Sequence, residues 1–153
     1  RHYGSLTGLN KEETKNKIGE EQFIKYRRSW DTAPPPIQEN SEHLKNFSPL
    51  NNSIPDGMTP FTESLKDTYE RVVPFFNNEI KKKLLENKNI LISAHGNSLR
   101  ALCKYLFKIS DNKITELEIP TGNPLIVEFD NNLKIGKFYY LDASRSKKII
   151  FNQ

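Results

Sequence analysis

Three short stretches of this chain carry side chains that could do chemistry together. In Ala94-His95-Gly96-Asn97-Ser98 an apolar run ends in a histidine, and a helical pattern begins at once. Ligands of open α/β sheets bind beyond the carboxyl ends of the strands. A helix N-terminus there offers free N–H groups and a partial positive charge, which suit an anion. Gly96 permits close backbone approach, and Asn97 or Ser98 can cap. His95-Gly96-Asn97 could therefore cradle a phosphate, with the imidazole as nucleophile, acid/base or hydrogen-bond donor. The alternative is a structural histidine hydrogen-bonded at a strand end.

The second stretch is Arg27-Arg28. Adjacent helical residues point about 100° apart, so at most one arginine faces the core side and the other can reach sideways into a cleft. Guanidinium forks match phosphate and carboxylate, although taken alone the pair reads as solvated helix charge. The third is Arg1-His2-Tyr3-Gly4, a compact cluster with donors of three kinds. Lys11 adds a positive charge at a helix start, where the dipole disfavours it, a hint that it serves a bound anion. The shared theme is anion recognition without a metal. Three histidines and one cysteine show no ligand spacing, and no P-loop or dinucleotide fingerprint occurs.

These residues must be held by a scaffold, and the hydrophobic pattern predicts one. Asn10 caps a helix that stops near Gly19. A second helix runs from Glu20 to about Trp30, with Phe23, Tyr26 and Trp30 as a core stripe. Residues 31–61 hold six of the nine prolines and read as a long loop, either a lid over a site or a plain surface excursion. His43 in that loop reads as solvated. Thr59-Pro60 signals the start of a long amphipathic helix. Its stripe is Leu65, Tyr69, Val72, Phe76, Ile80 and Leu84, its kink falls at Pro74, and Lys81-Lys82-Lys83 lies on its solvated face.

Ile90-Leu91-Ile92 then suits a strand covered on both faces, with a strand neighbour on each side. A helix from about Asn97 to Phe107 follows, turning Leu99, Leu102 and Leu106 to the core. Ser110-Asp111-Asn112 caps a short helix to about Leu117, and Pro120 to Pro124 forms a turn. Leu125–Phe129 and Lys137–Leu141 form a hairpin through Asp130-Asn131-Asn132. The tail 145–153 is basic and peripheral. The pattern is α/β with a mixed sheet.

A chain of 153 residues fits one domain with one core. The net charge of +4 and pI of about 9.1 suit a basic anion-binding cleft as well as a nucleic-acid surface. No arginine-rich or aromatic-interleaved stripe favours the latter, so no nucleic-acid partner is expected. The single Cys103 excludes an internal disulfide, packs as a small hydrophobe and suits a reducing compartment. No apolar run approaches the ~20 residues that span a bilayer, and no membrane partner is expected. The opening Arg1-His2-Tyr3-Gly4, without an initiator methionine, is expected to follow further residues.

Taken together, "RHYGSLTGLNKEET", "RRSWDTAPPP", "PFTESLKDTYERVVPF", "AHGNSLRALCKYL" and "EIPTGNPLIVEFD" resemble the 2,3-bisphosphoglycerate-dependent phosphoglycerate mutases of the histidine phosphatase superfamily. The resemblance runs in order over nearly the whole chain. It implies a three-layer α/β fold with a mixed, mainly parallel sheet, of which residues 1–153 form the C-terminal part of a single domain lacking its first strand. It implies a cytoplasmic enzyme of glycolysis and gluconeogenesis that interconverts 3-phosphoglycerate and 2-phosphoglycerate through a phosphohistidine. The implied cofactor is 2,3-bisphosphoglycerate as phosphoryl primer, with no metal. The implied partners are a phosphorylated small molecule and, since the family often forms dimers or tetramers, further copies of the chain as a homodimer or homotetramer.

Carried over residue by residue, the family's substrate and phosphate contacts fall on Arg1, His2, Tyr3, Lys11, Arg27, Arg28, Gly96 and Asn97. His95 matches the second active-site histidine, which stabilises the transferring phosphoryl group rather than carrying it. Two departures stand out. The Arg-His-Gly motif bearing the phosphorylated histidine does not occur, and the acid/base glutamate would directly precede Arg1. The rival readings are a phosphatase or bisphosphoglycerate mutase of the same superfamily, and a catalytically inactive anion-binding fragment.

Overall fold

The computed structural model describes residues 1–45 and 58–146. The chain divides into two compact units, Arg1–Asp67 and Thr68–Gln153.

The first unit opens with a tight turn of 3-10 helix at Gly4–Leu6. Helix α1 (Lys11–Ile18) begins as expected: Asn10 Oδ1 accepts the N–H groups of Glu12 and Glu13 at 2.9 and 3.3 Å. These are donors that the first turn cannot satisfy itself. Gly19, at φ 84°, ends α1 and leads into α2 (Glu20–Arg28). Phe23, Tyr26 and Trp30 are half-buried, a partly covered stripe rather than a closed core. Carbonyls of the proline-rich segment 34–36 accept bonds from two sides, Ser5 N–H at 2.8 Å onto Pro35 and Thr62 Oγ1 at 2.6 Å onto Pro34. Prolines have no N–H to leave unpaired, so such a segment can be held by its carbonyls alone. Ile37 N–H adds a bond to Phe61 O at 3.0 Å.

Residues 34–37 of the long loop are thus tied to other segments, and the loop contains the short helix α3 (Glu42–Lys45). His43 is exposed but not simply solvated, because its ring sits where a side chain on Gly8 would be. The rest of the lid reading falls on residues 46–57, outside the described residues.

Helix α4 (Leu65–Phe75) begins later than the Thr59-Pro60 signal predicts, a correction to the expected start. The working start is a reciprocal cap. Asp67 N–H donates to Ser64 Oγ at 3.1 Å, while Ser64 N–H donates to Asp67 Oδ2 at 2.8 Å. Residues 61–63 are drawn away from helix by bonds to other segments: Phe61 O accepts from Ile37, and Glu63 N–H donates to His2 O at 3.0 Å.

The helical run continues through Pro74, a π-helical turn (Phe76–Ile80) and α5 (Lys81–Leu85). Pro74 cannot donate to the carbonyl one turn back, and a wider turn is a common response to such a break. The expected stripe holds, with Leu65 and Phe76 buried and Tyr69, Val72, Ile80 and Leu84 half-buried. Asn87, at φ 58°, closes α5, and Lys88 N–H bonds to Lys83 O at 3.0 Å.

In the second unit, α6 (Gly96–Leu106) carries the core. Ala101, Leu102 and Cys103 are buried, as are Phe107, Ile109, Ile114 and Leu117. Leu99 and Leu106 are half-buried. Cys103 is 6% exposed, and burial pushes its thiol up to about 12, as suits a packed hydrophobe. A 3-10 turn (Lys113–Thr115) stands where a short helix is expected. Strands β1 (Leu125–Phe129) and β2 (Ile135–Tyr140) pair antiparallel, as the hairpin pattern predicts, with an irregularity between Val127 and Phe129. Asp130 Oδ1 organises the turn by accepting Asn132 and Lys134 N–H at 2.9 and 2.8 Å. Arg145, at the head of the basic tail, donates to Thr121 O at 2.8 Å. Residues 147–153 lie outside the described residues.

The largest departure from expectation among the described residues is a missing strand. Ile90–Ser93, read as a strand buried on both faces, has no regular structure, and Leu91 is 89% exposed. A strand needs a lateral partner to satisfy its N–H and C=O groups. Among the described residues the only sheet is the two-stranded β1–β2 hairpin. The fold is mixed α/β, and the mainly parallel sheet is not seen among those residues.

Candidate functional site

The expected site residues fall into two groups, one in each unit. In the first unit, Arg1, His2, Tyr3 and Arg27 come together. The Tyr3 ring has the Arg1 guanidinium 5.2 Å from its centre and that of Arg27 at 5.8 Å. Arg27 also lies 5.3 Å from the Phe23 ring, one turn earlier on α2. Cation–π contacts of this kind hold a guanidinium plane without consuming its hydrogen-bond donors. Arg27 therefore keeps a fork able to meet a carboxylate or phosphate.

Arg1 is anchored differently. Its Nε donates to Glu63 O at 2.8 Å, Nη1 to Arg27 O at 3.4 Å, and Nη2 to Tyr26 O and Thr32 O at 2.6 and 3.3 Å. Burial lowers its pKa from the ordinary value, with Tyr3 and Glu63 opposing. An arginine so placed stays charged at neutral pH.

His2 accepts Gly4 N–H on Nδ1 at 3.0 Å, which places the proton of the neutral ring on Nε2. Burial lowers its pKa from the ordinary value, and the nearby Glu63 carboxylate works the other way. Arg28 is half-buried at the last position of α2. Lys11 is exposed at the first position of α1, and no described contact joins it to the Arg1–Tyr3–Arg27 cluster.

Glu63 is the residue that sequence reasoning missed. It is 3% exposed, its Oε2 accepts His2 N–H at 2.5 Å, and its main chain bonds both Arg1 and His2. No local pattern could reveal it, because its partners are 61 and 62 positions away.

In the second unit, His95 is the N-cap residue of α6, with extended backbone (φ −62°, ψ 142°). Its carbonyl accepts Leu99 N–H at 3.1 Å, and its exposed imidazole makes no capping bond. Gly96 opens the helix, and a side chain placed there would meet nothing within 4 Å. Asn97 is buried, and its Oδ1 accepts Arg100 Nη1 at 3.1 Å. Arg100 Nη2 donates in turn to Ile114 O at 2.6 Å. The Asn97 side chain is thus committed inward, which leaves its main-chain amide, beside that of Gly96, as the group facing the helix end. The expected setting of His95 is corrected to this extent: it caps a helix, but the segment before it is exposed rather than a buried strand.

Among the described residues no group of three or more His, Cys, Asp or Glu side chains is placed to hold a metal ion. No helix among them is long and apolar enough to cross a membrane. The donor set is cationic and amide-rich, which suits a phosphorylated anion.

Residues 38–139 match the family described as the histidine phosphatase superfamily (branch 1). A 2,3-bisphosphoglycerate-dependent phosphoglycerate mutase of Pelagibacter ubique is 53% identical, over 98% of this chain and 63% of that protein. Proteins of the same name from Treponema denticola and Hyphomonas neptunium are 51% and 49% identical, over 92% and 97% of this chain. The chain spans 57% to 63% of the length of these curated relatives.

Proposed function

This chain belongs to the histidine phosphatase superfamily (branch 1), and from that premise we propose that the full-length protein interconverts 3-phosphoglycerate and 2-phosphoglycerate. The observation that carries this reading is about 50% identity, along nearly the whole chain, to three relatives that bear the mutase name. The reaction runs through a phosphohistidine, on a histidine not among these 153 residues. When bound, 2,3-bisphosphoglycerate supplies the phosphoryl group that primes that histidine.

Within this chain the roles are assigned residue by residue. Arg27, Arg28 and Lys11 hold the anionic groups of the substrate, and Tyr3 and His2 orient it. His95 and the amides of Gly96 and Asn97 stabilise charge on the transferring oxygens, as preorganised donors do in phosphoryl transfer. The Ile90–Ser93 run joins a mainly parallel sheet once a neighbouring strand pairs with it, which would cover Leu91. The enzyme works in the cytoplasm as a homodimer or homotetramer.

The test is turnover of 3-phosphoglycerate by the full-length protein with and without added 2,3-bisphosphoglycerate. Strict dependence on the primer supports the mutase. Net phosphate release from many monoesters would instead make the protein a phosphatase of the same superfamily.

A further inference from the structure

The last carbonyls of a helix have no partner within it. In α2 these include Tyr26 O and Arg27 O, and both receive donors from Arg1. The same fork reaches Thr32 O and Glu63 O, so one guanidinium joins the end of α2 to two other segments. The charge sits at the negative end of the helix dipole, where a cation is favoured. Glu63 holds the main chain beside Arg1 in place by exchanging bonds with His2. All three kinds of guanidinium nitrogen in Arg1 are turned to protein carbonyls while its plane also lies over Tyr3, whereas the Arg27 guanidinium is held by the Tyr3 and Phe23 rings.

We infer that Arg1 is a positioning residue: its guanidinium caps the last turn of α2 and so sets the direction in which Arg27 and Arg28 reach, rather than gripping the phosphorylated ligand itself. The inference rests on the reading of Arg27 and Arg28 as the anion-holding pair. A planar fork is required, because a lysine presents its donors from a single point and cannot span four carbonyls.

The experiment uses the full-length protein with Arg1→Ala and Arg1→Lys, alone and combined with Arg27→Ala and Arg28→Ala. Hydrogen exchange needs no ligand. Both Arg1 variants should speed exchange in the last turn of α2 about tenfold, with α1 changed less than about twofold. Titration with 3-phosphoglycerate should show Kd raised about tenfold by Arg1→Lys, and by less than about twofold once Arg27 and Arg28 are already alanine. In turnover the loss should fall on KM, with kcat changed less than about threefold.

Losses that add across the double-mutant cycle would make Arg1 a direct ligand and overturn the inference. Exchange that speeds uniformly, or not at all, would also overturn it, as would rescue by lysine or loss of the fold in Arg1→Lys. Repeating the cycle with inorganic phosphate separates this inference from the mutase reading. Failure with 3-phosphoglycerate alone would count against the substrate, not against the role of Arg1.

Discussion

The Arg1–Tyr3 end of the first unit and the His95–Asn97 end of the second present cations and amides by opposite means. Around Arg1, bonds join positions far apart in the chain, and a buried carboxylate, four main-chain carbonyls and two aromatic rings share the load. Around His95, the positioning is local: a helix begins, Gly96 leaves space, and the imidazole stays exposed. The first arrangement ties the presented side chains to the packing of the first unit. The second lets an exposed side chain change at little structural cost, because helix α6 is secured by its buried face and by Arg100.

His95→Ala is the strongest probe of that contrast. In the full-length protein it should lower kcat by ~10²–10³-fold, the usual loss of one donor to a developing charge. Stability by urea denaturation should change by no more than about 0.5 kcal/mol, as for other exposed positions. Unchanged turnover would remove His95 from the site.

Gly4→Ala probes the other end. Gly4 has φ 57°, and a side chain there would come within 2.1 Å of Pro35 O. The substitution should cost about 2–3 kcal/mol in the same urea assay, from left-handed strain plus the displaced carbonyl. A neutral result would mean that the proline-rich segment is not tied down at this point.

The smallest effect concerns pH. The His2 pKa is lowered from 6.5 in the folded chain, chiefly by burial. The unfolded chain therefore binds the proton more readily, so this contribution to stability is complete above 6.5 and fades as pH falls below it. The urea midpoint of the wild type should drop between about pH 7 and pH 5 more than that of His2→Gln. Equal drops would show that the histidine contributes nothing to the first unit's pH response.

Elements whose cause is local are legible in the sequence. The Asn10 cap, the Gly19 stop, the long apolar stripe through Pro74, the α6 helix and the β1–β2 hairpin all follow from caps, periodicity and turn residues within a few positions. The start of α4 differs from expectation although Thr59-Pro60 offers a local signal. The Ser64–Asp67 cap wins, since residues 61–63 are already engaged elsewhere. Ile90–Ser93 differs because apolarity marks what a strand could bury, not whether a neighbour is there to pair with it. Of the candidate site, residue types and helix ends can be named in advance. The anchoring of Arg1 and His2 by Glu63 cannot, for want of any sequence spacing that encodes it.

The sequence by itself determined which groups could bind an anion, namely a histidine before a helix, paired arginines, and a cluster of polar donors at Arg1 to Tyr3. Only the tertiary structure decided how each is held. It turned the Arg1 fork onto main-chain carbonyls, laid Arg27 over Tyr3 and Phe23, and drew the Asn97 side chain inward to Arg100. Residue type sets the donors and charges a side chain carries. Which partners reach them depends on segments brought together over tens of residues, and a local pattern holds no record of those distances.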